Sequence, residues 1–184
     1  MKKVFALVIA CLFVLVSGCS SEVSAEIAEV KDEIVEVKNG YLDLSVEEFE
    51  NNFNAQLSKE YFRADLQKGF ADEDSAFYSC DLETGIELSV SSTTDATMIN
   101  YMNLSFDVNE DYADATKFGY YFAKLIYTVA PDITQDEIST LITELDMENP
   151  LPGDIETYER NKILFGSMVE DDGSKIHLTA ITTK

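Results

Sequence analysis

Between Gly85 and Val108 apolar and polar residues take turns. Ile86, Leu88 and Val90 are separated by Glu87, Ser89 and Ser91, and after TTDAT the run MINYMNLSFDV sets Met102, Leu104, Phe106 and Val108 on one side. Successive side chains of a strand point to opposite faces, so a period of two describes strands with one dry and one wet face. Such strands belong to antiparallel sheets, because buried parallel strands read as unbroken apolar runs. DSAFYSC, ahead of the turn-prone DLETG, supplies another strand. So do IETY, NKILFGSMV and KIHLTAIT after Pro150 and Pro152, the last two joined by EDDGS. In IVEVK-NG-YLDL apolar residues alternate on both sides of Asn39-Gly40, which predicts a tight hairpin.

Helix starts interrupt these strands. Ser45 and Glu48 form a capping box with Leu44 and Phe49 as its hydrophobic staple, and Val46, Phe49, Phe53 and Leu57 follow as one stripe. Thr134 and Glu137 repeat the box, with Ile133 and Ile138 as the staple and Leu141, Ile142 and Leu145 on the buried face. Asp111 or a neighbour caps a third helix that runs to about Val129 and ends at Ala130-Pro131. Its stretch FGYYFAKLIYTVA holds one charge in thirteen residues, which makes it the central core helix, although Tyr121 and Phe122 are too close in sequence to point inward together. The order is helix, strands, two helices, strands. It predicts an α+β fold: an antiparallel sheet of about five to seven strands whose apolar face is covered by about three helices.

The start of the chain follows a different logic. Lys2 and Lys3 precede an apolar run from Val4 to Val16, shorter than the roughly 20 residues of a spanning helix. Val16-Ser17-Gly18-Cys19 then resembles the lipobox of bacterial lipoproteins, with valine where leucine is commoner. In that family a diacylglycerol is attached to the cysteine sulfur and lipoprotein signal peptidase cuts before the cysteine. The resemblance implies that residues 1–18 are removed and that Cys19 is the lipid-attachment residue. Val8-Ile9-Ala10-Cys11 matches more poorly, since cleavage there leaves an apolar core of only a few residues. Two acyl chains hold a protein to a bilayer where one does so marginally. The body is therefore expected outside the cytoplasm, on the cell membrane or, because Ser20 is not the aspartate associated with inner-membrane retention, on an outer membrane where the host has one.

Residues 19–32 read as an acidic tether, and 33–184 as a single α+β domain. Val23, Ile27, Val30, Ile34 and Val37 share one helical seam, but over barely two heptads and with β-branched residues. Loss of residues 1–18 removes two lysines and no acid, moving the formal charge from −22 to −24. A surface of that sign repels nucleic-acid phosphates, so no nucleic-acid partner is expected.

The residues offer little for catalysis. Cys11 lies in the leader and Cys19 carries the lipid, leaving Cys80 alone without a disulfide partner. His177 is the one histidine, and between Ile176 and Leu178 it faces away from their side. A Cys80/His177 nucleophile pair has no local signature. One histidine and one thiol fall short of a zinc site. DVNED, with Asp107, Asn109 and Asp111, imitates a calcium loop but has Tyr112 in place of glycine and Phe118 in place of the bidentate glutamate. The acidic turns at Asp72–Asp74 and Glu170–Asp172 read as solvated loops. Tyr112, Tyr120, Tyr121 and Tyr127 offer either a recognition surface or rings at the margin of the core.

No catalytic, metal or cofactor residue is assigned. The expectation is a non-enzymatic module that binds an extracytoplasmic protein or envelope component. The alternatives are a carrier of a small ligand or lipid between sheet and helices, and, more remotely, a small hydrolase.

Overall fold

The computed structural model, which describes residues 35–110, 113–147 and 151–184, opens with the hairpin that Asn39-Gly40 predicts. Strands β1 (Val37–Lys38) and β2 (Tyr41–Leu42) flank a turn in which Asn39 and Gly40 both have positive φ, 55° and 81°. That is the two-residue geometry whose twist matches paired strands. Cys19, the tether and the boundary at Glu33 lie outside the described residues, as do Asp111 and Tyr112.

Both capping boxes form. In α1 (Val46–Ala55) the Glu48 amide donates to the Ser45 hydroxyl at 3.1 Å and the Ser45 amide donates to the Glu48 carboxylate at 2.9 Å. In α3 (Gln135–Glu144) Thr134 and Glu137 repeat the exchange. The staple residues Leu44, Phe49, Ile133 and Ile138 are all buried. The longest helix among the described residues, α2 (Ala115–Val129), is capped by Asp114, whose carboxylate accepts from the Thr116 and Lys117 amides.

The remaining strands are β3 (Gln67–Ala71), β4 (Ser75–Glu83), β5 (Ile86–Thr93), β6 (Ile99–Asp107), β7 (Ile155–Arg160), β8 (Ile163–Val169) and β9 (Lys175–Thr182). They pair antiparallel in the order β3-β4-β5-β6-β9-β8-β7, and β2 adds the first hairpin through Leu42 opposite Ile99. The mixed α+β class is as expected, but nine strands exceed the expected five to seven. β3 accounts for part of the excess: QKGFA has no apolar alternation, is exposed throughout, and carries a register shift between Lys68 and Ala71.

Register brings the apolar positions into ladders. Ile86, Phe106 and Ile176 lie side by side, as do Leu88, Leu104 and Leu178, then Val90, Met102 and Ala180. All nine are buried. Helix α2 lies on them, with the Phe118 ring 5.1 Å from that of Phe106. Helix α1 packs against α2 through Phe53 and Tyr121, whose ring centroids are 6.3 Å apart. Helix α3 is joined to the same side of the sheet where the Ser167 hydroxyl donates to the Leu145 carbonyl at 2.8 Å.

The expectation that Tyr121 and Phe122 cannot both point inward is wrong, since both are 0% exposed. Phe118 and Phe122 share one face four residues apart, towards the sheet, and Tyr121 turns to α1. A helix packed against both a sheet and a neighbouring helix buries more than one stripe.

Candidate functional site

With all three helices on one side, the other face of the sheet has no covering element among the described residues. Register fixes what it presents. Its middle row crosses six strands through Ser79, Ser89, Asn103, Thr179, Gly166 and Thr157. None of these is larger than asparagine, and at about 4.8 Å per strand the row is about 24 Å long. A Cβ on Gly166 would sit 2.8 Å from the Thr179 hydroxyl, so the row is narrow as well as shallow. The Asn103 amide donates to the Ser89 hydroxyl at 3.5 Å, while its buried carbonyl oxygen has no partner among the described residues. Such an atom costs free energy until a donor reaches it.

Larger side chains flank this row. At the β7 end Ile155 is 66% exposed and its register partner Met168 37%, with His177 next in line on β9. Leu151, also exposed, begins the turn in which the Gly153 amide donates to the Val169 carbonyl. Acidic residues adjoin this corner: Glu170, Asp171 and Asp172 in the neighbouring turn and Asp154 just before β7, while Glu156 alternates with Ile155 onto the helix side. An exposed apolar spot with a charged border is the usual form of a contact surface.

The structure keeps Cys80 and His177 apart. Cys80 pairs with Leu88 and therefore lies on the helix side, whereas His177 lies on the open face, as its alternation predicts. Three strand spacings, about 14 Å, and the thickness of the sheet separate them. Burial, followed by the charges of Glu50, Asp81 and Asp65, pushes the Cys80 thiol up to about 11, so it is protonated at neutral pH and a poor nucleophile. His177 Nε2 instead lies 3.3 Å from the Glu170 carboxylate.

The acidic turns spend their carboxylates on their own backbone. Asp72 accepts from the Asp74 and Ser75 amides, Asp172 from the Ser174 amide, and Asp107 from the Asn109 amide at 2.9 Å. Phe118, at the place of the calcium loop's glutamate, is in the core. Among the described residues no three His, Cys, Asp or Glu side chains are placed to hold a metal ion.

The tyrosines act as a latch. Tyr61 stacks on Tyr120 with centroids 3.8 Å apart and meets Tyr121 edge-on. The Ser58 amide donates to the Tyr120 hydroxyl and the Tyr121 hydroxyl donates to the Phe62 carbonyl, which pins the segment after α1 to α2. Tyr120 and Tyr127 share a face, as expected, with the Lys124 ammonium over both rings. Tyr121 sits within the core, and Tyr61, Tyr120 and Tyr127 line its margin.

Arg160 was not singled out from the sequence, yet it gathers two carboxylates around one guanidinium. Its guanidinium meets Glu137 at 2.9 Å and both oxygens of Asp132 at 3.0 and 3.2 Å, with its side chain only 10% exposed. These partners are 23 and 28 residues away, beyond any local pattern. Beside it lies a shallow cleft of about 260 Å³ at the margin of the molecule, lined in part by Val35, Val129 and Ile163. The space between sheet and helices is filled by Phe106, Phe118, Phe122 and Phe165.

Arg160 holds Glu137 at about 2, below its ordinary 4.5, and holds Asp132 low as well. A depressed carboxyl stabilises the fold fully above its unfolded value, and that contribution is lost as pH falls through the folded value. Stability is therefore expected to decline from pH 4.5 towards 2. Urea midpoints measured across that window should fall more gently in Arg160→Gln than in the parent. Identical slopes would remove this cluster from the account.

No helix among the described residues is long and apolar enough to cross a membrane. Comparison of the chain with protein families, with curated proteins and with solved structures finds no match.

Proposed function

We propose that the chain is a lipoprotein anchored through Cys19 to the outer side of a bacterial membrane, and that its body is a non-enzymatic module that binds another extracytoplasmic protein or envelope component. The observation that supports the binding role best is the open sheet face: a narrow row of small polar side chains flanked at its β7 end by the exposed Ile155–Met168 pair. The strong negative charge keeps such a body soluble beside the membrane. The filled interior of the described residues favours a surface-binding role over a carrier, and the hydrolase reading loses the Cys80/His177 pair, whose members lie on opposite faces of the sheet.

Two measurements in the producing bacterium test the two halves. Cys19→Ala should abolish the mass of the acyl chains and move the protein from the membrane to the soluble fraction, and a variant that stays with the membrane refutes the anchor. A photo-crosslinking residue at Met168 should yield a discrete adduct that the same residue at Thr143, exposed on α3, does not. Equal adducts from both positions, or none from Met168, refute the binding face.

A further inference from the structure

The two ends of the sheet differ in a way that bears on how a partner binds. β3 ends the sheet with five residues, a lysine, a glycine and a register shift, features that blunt an edge against pairing. β7 ends it with six residues in unbroken register with β8 and with neither proline nor bulge. The β7–β8 turn has two residues, Asn161 and Lys162, both at positive φ. Arg160 and Ile163 on either side of it therefore form a hydrogen-bonded pair, and the pairs alternate from there. The amides and carbonyls of Ile155, Thr157 and Glu159 consequently point away from β8. Among the described residues no other strand pairs with them.

Charge selects what fits. Arg160 is the one basic residue of β7, and Asp132 and Glu137 neutralise it. Glu156 and Glu159 are left, with Asp154 before them and Glu170 to Asp172 in the neighbouring turn. A second copy would set these same carboxylates against themselves. A cationic strand would be attracted along the whole edge, and an apolar side chain on its outer face would meet Ile155 and Met168.

We infer that the free edge of β7 takes up an extended, lysine- or arginine-rich polypeptide segment of a partner as an added antiparallel or parallel strand. This rests on the interaction-module reading and gives it a mode and a partner chemistry. Main-chain hydrogen bonds to Ile155, Thr157 and Glu159 supply affinity, and Glu156 and Glu159 supply selectivity.

The test uses the full chain in detergent micelles and a short synthetic peptide alternating lysine and valine. Binding should slow amide hydrogen exchange at Ile155, Thr157 and Glu159. The same peptide N-methylated at alternate backbone nitrogens keeps its charge but cannot add as a strand, and it should bind about tenfold or more weakly. Thr157→Pro removes an outward amide that β8 does not use, and should weaken binding comparably. The Glu156→Lys, Glu159→Lys double variant, read alongside it, decides the matter if the proline variant unfolds.

Equal binding of the methylated peptide, protection elsewhere than β7, or concentration-dependent protection of β7 without peptide, which signals a second copy, overturns the inference. A Met168 adduct that persists unchanged in Thr157→Pro also overturns it while leaving the binding face standing. Loss of the Met168 adduct from the parent chain sinks the wider reading, and the peptide measurements still decide the edge.

Discussion

Phe118→Ala is expected to lower unfolding free energy by about 3–5 kcal/mol, the usual cost of deleting a buried ring where neighbours cannot close the gap. The site has little room to relax. Phe118 is buried against Phe106, which stands between Ile86 and Ile176 in a three-strand ladder, and all of these are nearly inaccessible. Strands held by pairing on both sides cannot shift inward to fill a hole under α2. Urea unfolding should show a lower midpoint with an unchanged m-value. A loss below about 1 kcal/mol, less than the lower bound for such deletions, would mean that α2 does not lie on the sheet as described.

Gly85→Val should be nearly as damaging for a different reason. Gly85 turns the chain from β4 into β5 with φ of +74°, and a Cβ there would meet the Ala113 and Glu110 side chains at 3.1 and 3.2 Å and the Asp107 carbonyl at 3.3 Å. The Gly85 carbonyl also accepts from the Asp107 amide, which ties this turn to the end of β6. Left-handed backbone costs a side chain about 1–2 kcal/mol and overpacking a further 1–3, so about 2–5 kcal/mol in all is expected. Gly69→Ala is the control: its Cβ would lie 3.8 Å from the nearest atom at an ordinary φ, and thermal unfolding should barely change. A Gly85→Val protein melting with the control would show that the turn accommodates what its geometry forbids.

What could be read in the sequence was local. Ser45 with Glu48, Thr134 with Glu137, and Asn39-Gly40 each fix their structure within a few residues, and all three form as expected. Alternation placed His177 on the wet face and Leu88, Leu104 and Leu178 on the dry one. What escaped depended on distant neighbours. β3 lacks a pattern because it is exposed on both sides. Tyr121 and Phe122 are both buried because α1 packs against the Tyr121 side of α2 through Phe53, a fact of assembly that no helical period states. Arg160 looked like one of the chain's scattered bases until folding brought Asp132 and Glu137 to it. The open face was foreseen as wet, but its narrow middle row is a product of strand order, which alternation does not specify.

That strand order has a consequence in time. β9 follows every other described strand in sequence, yet it lies between β6 and β8 at the middle of the sheet. β6 and β8 have no direct pairing to each other, so the two halves of the sheet remain unjoined until β9 has been synthesised. Long-range closures of this kind fold slowly compared with local hairpins. A chain built this way can pair β3 to β6 and β7 with β8 early, but its sheet becomes continuous only when its last described strand slots between them.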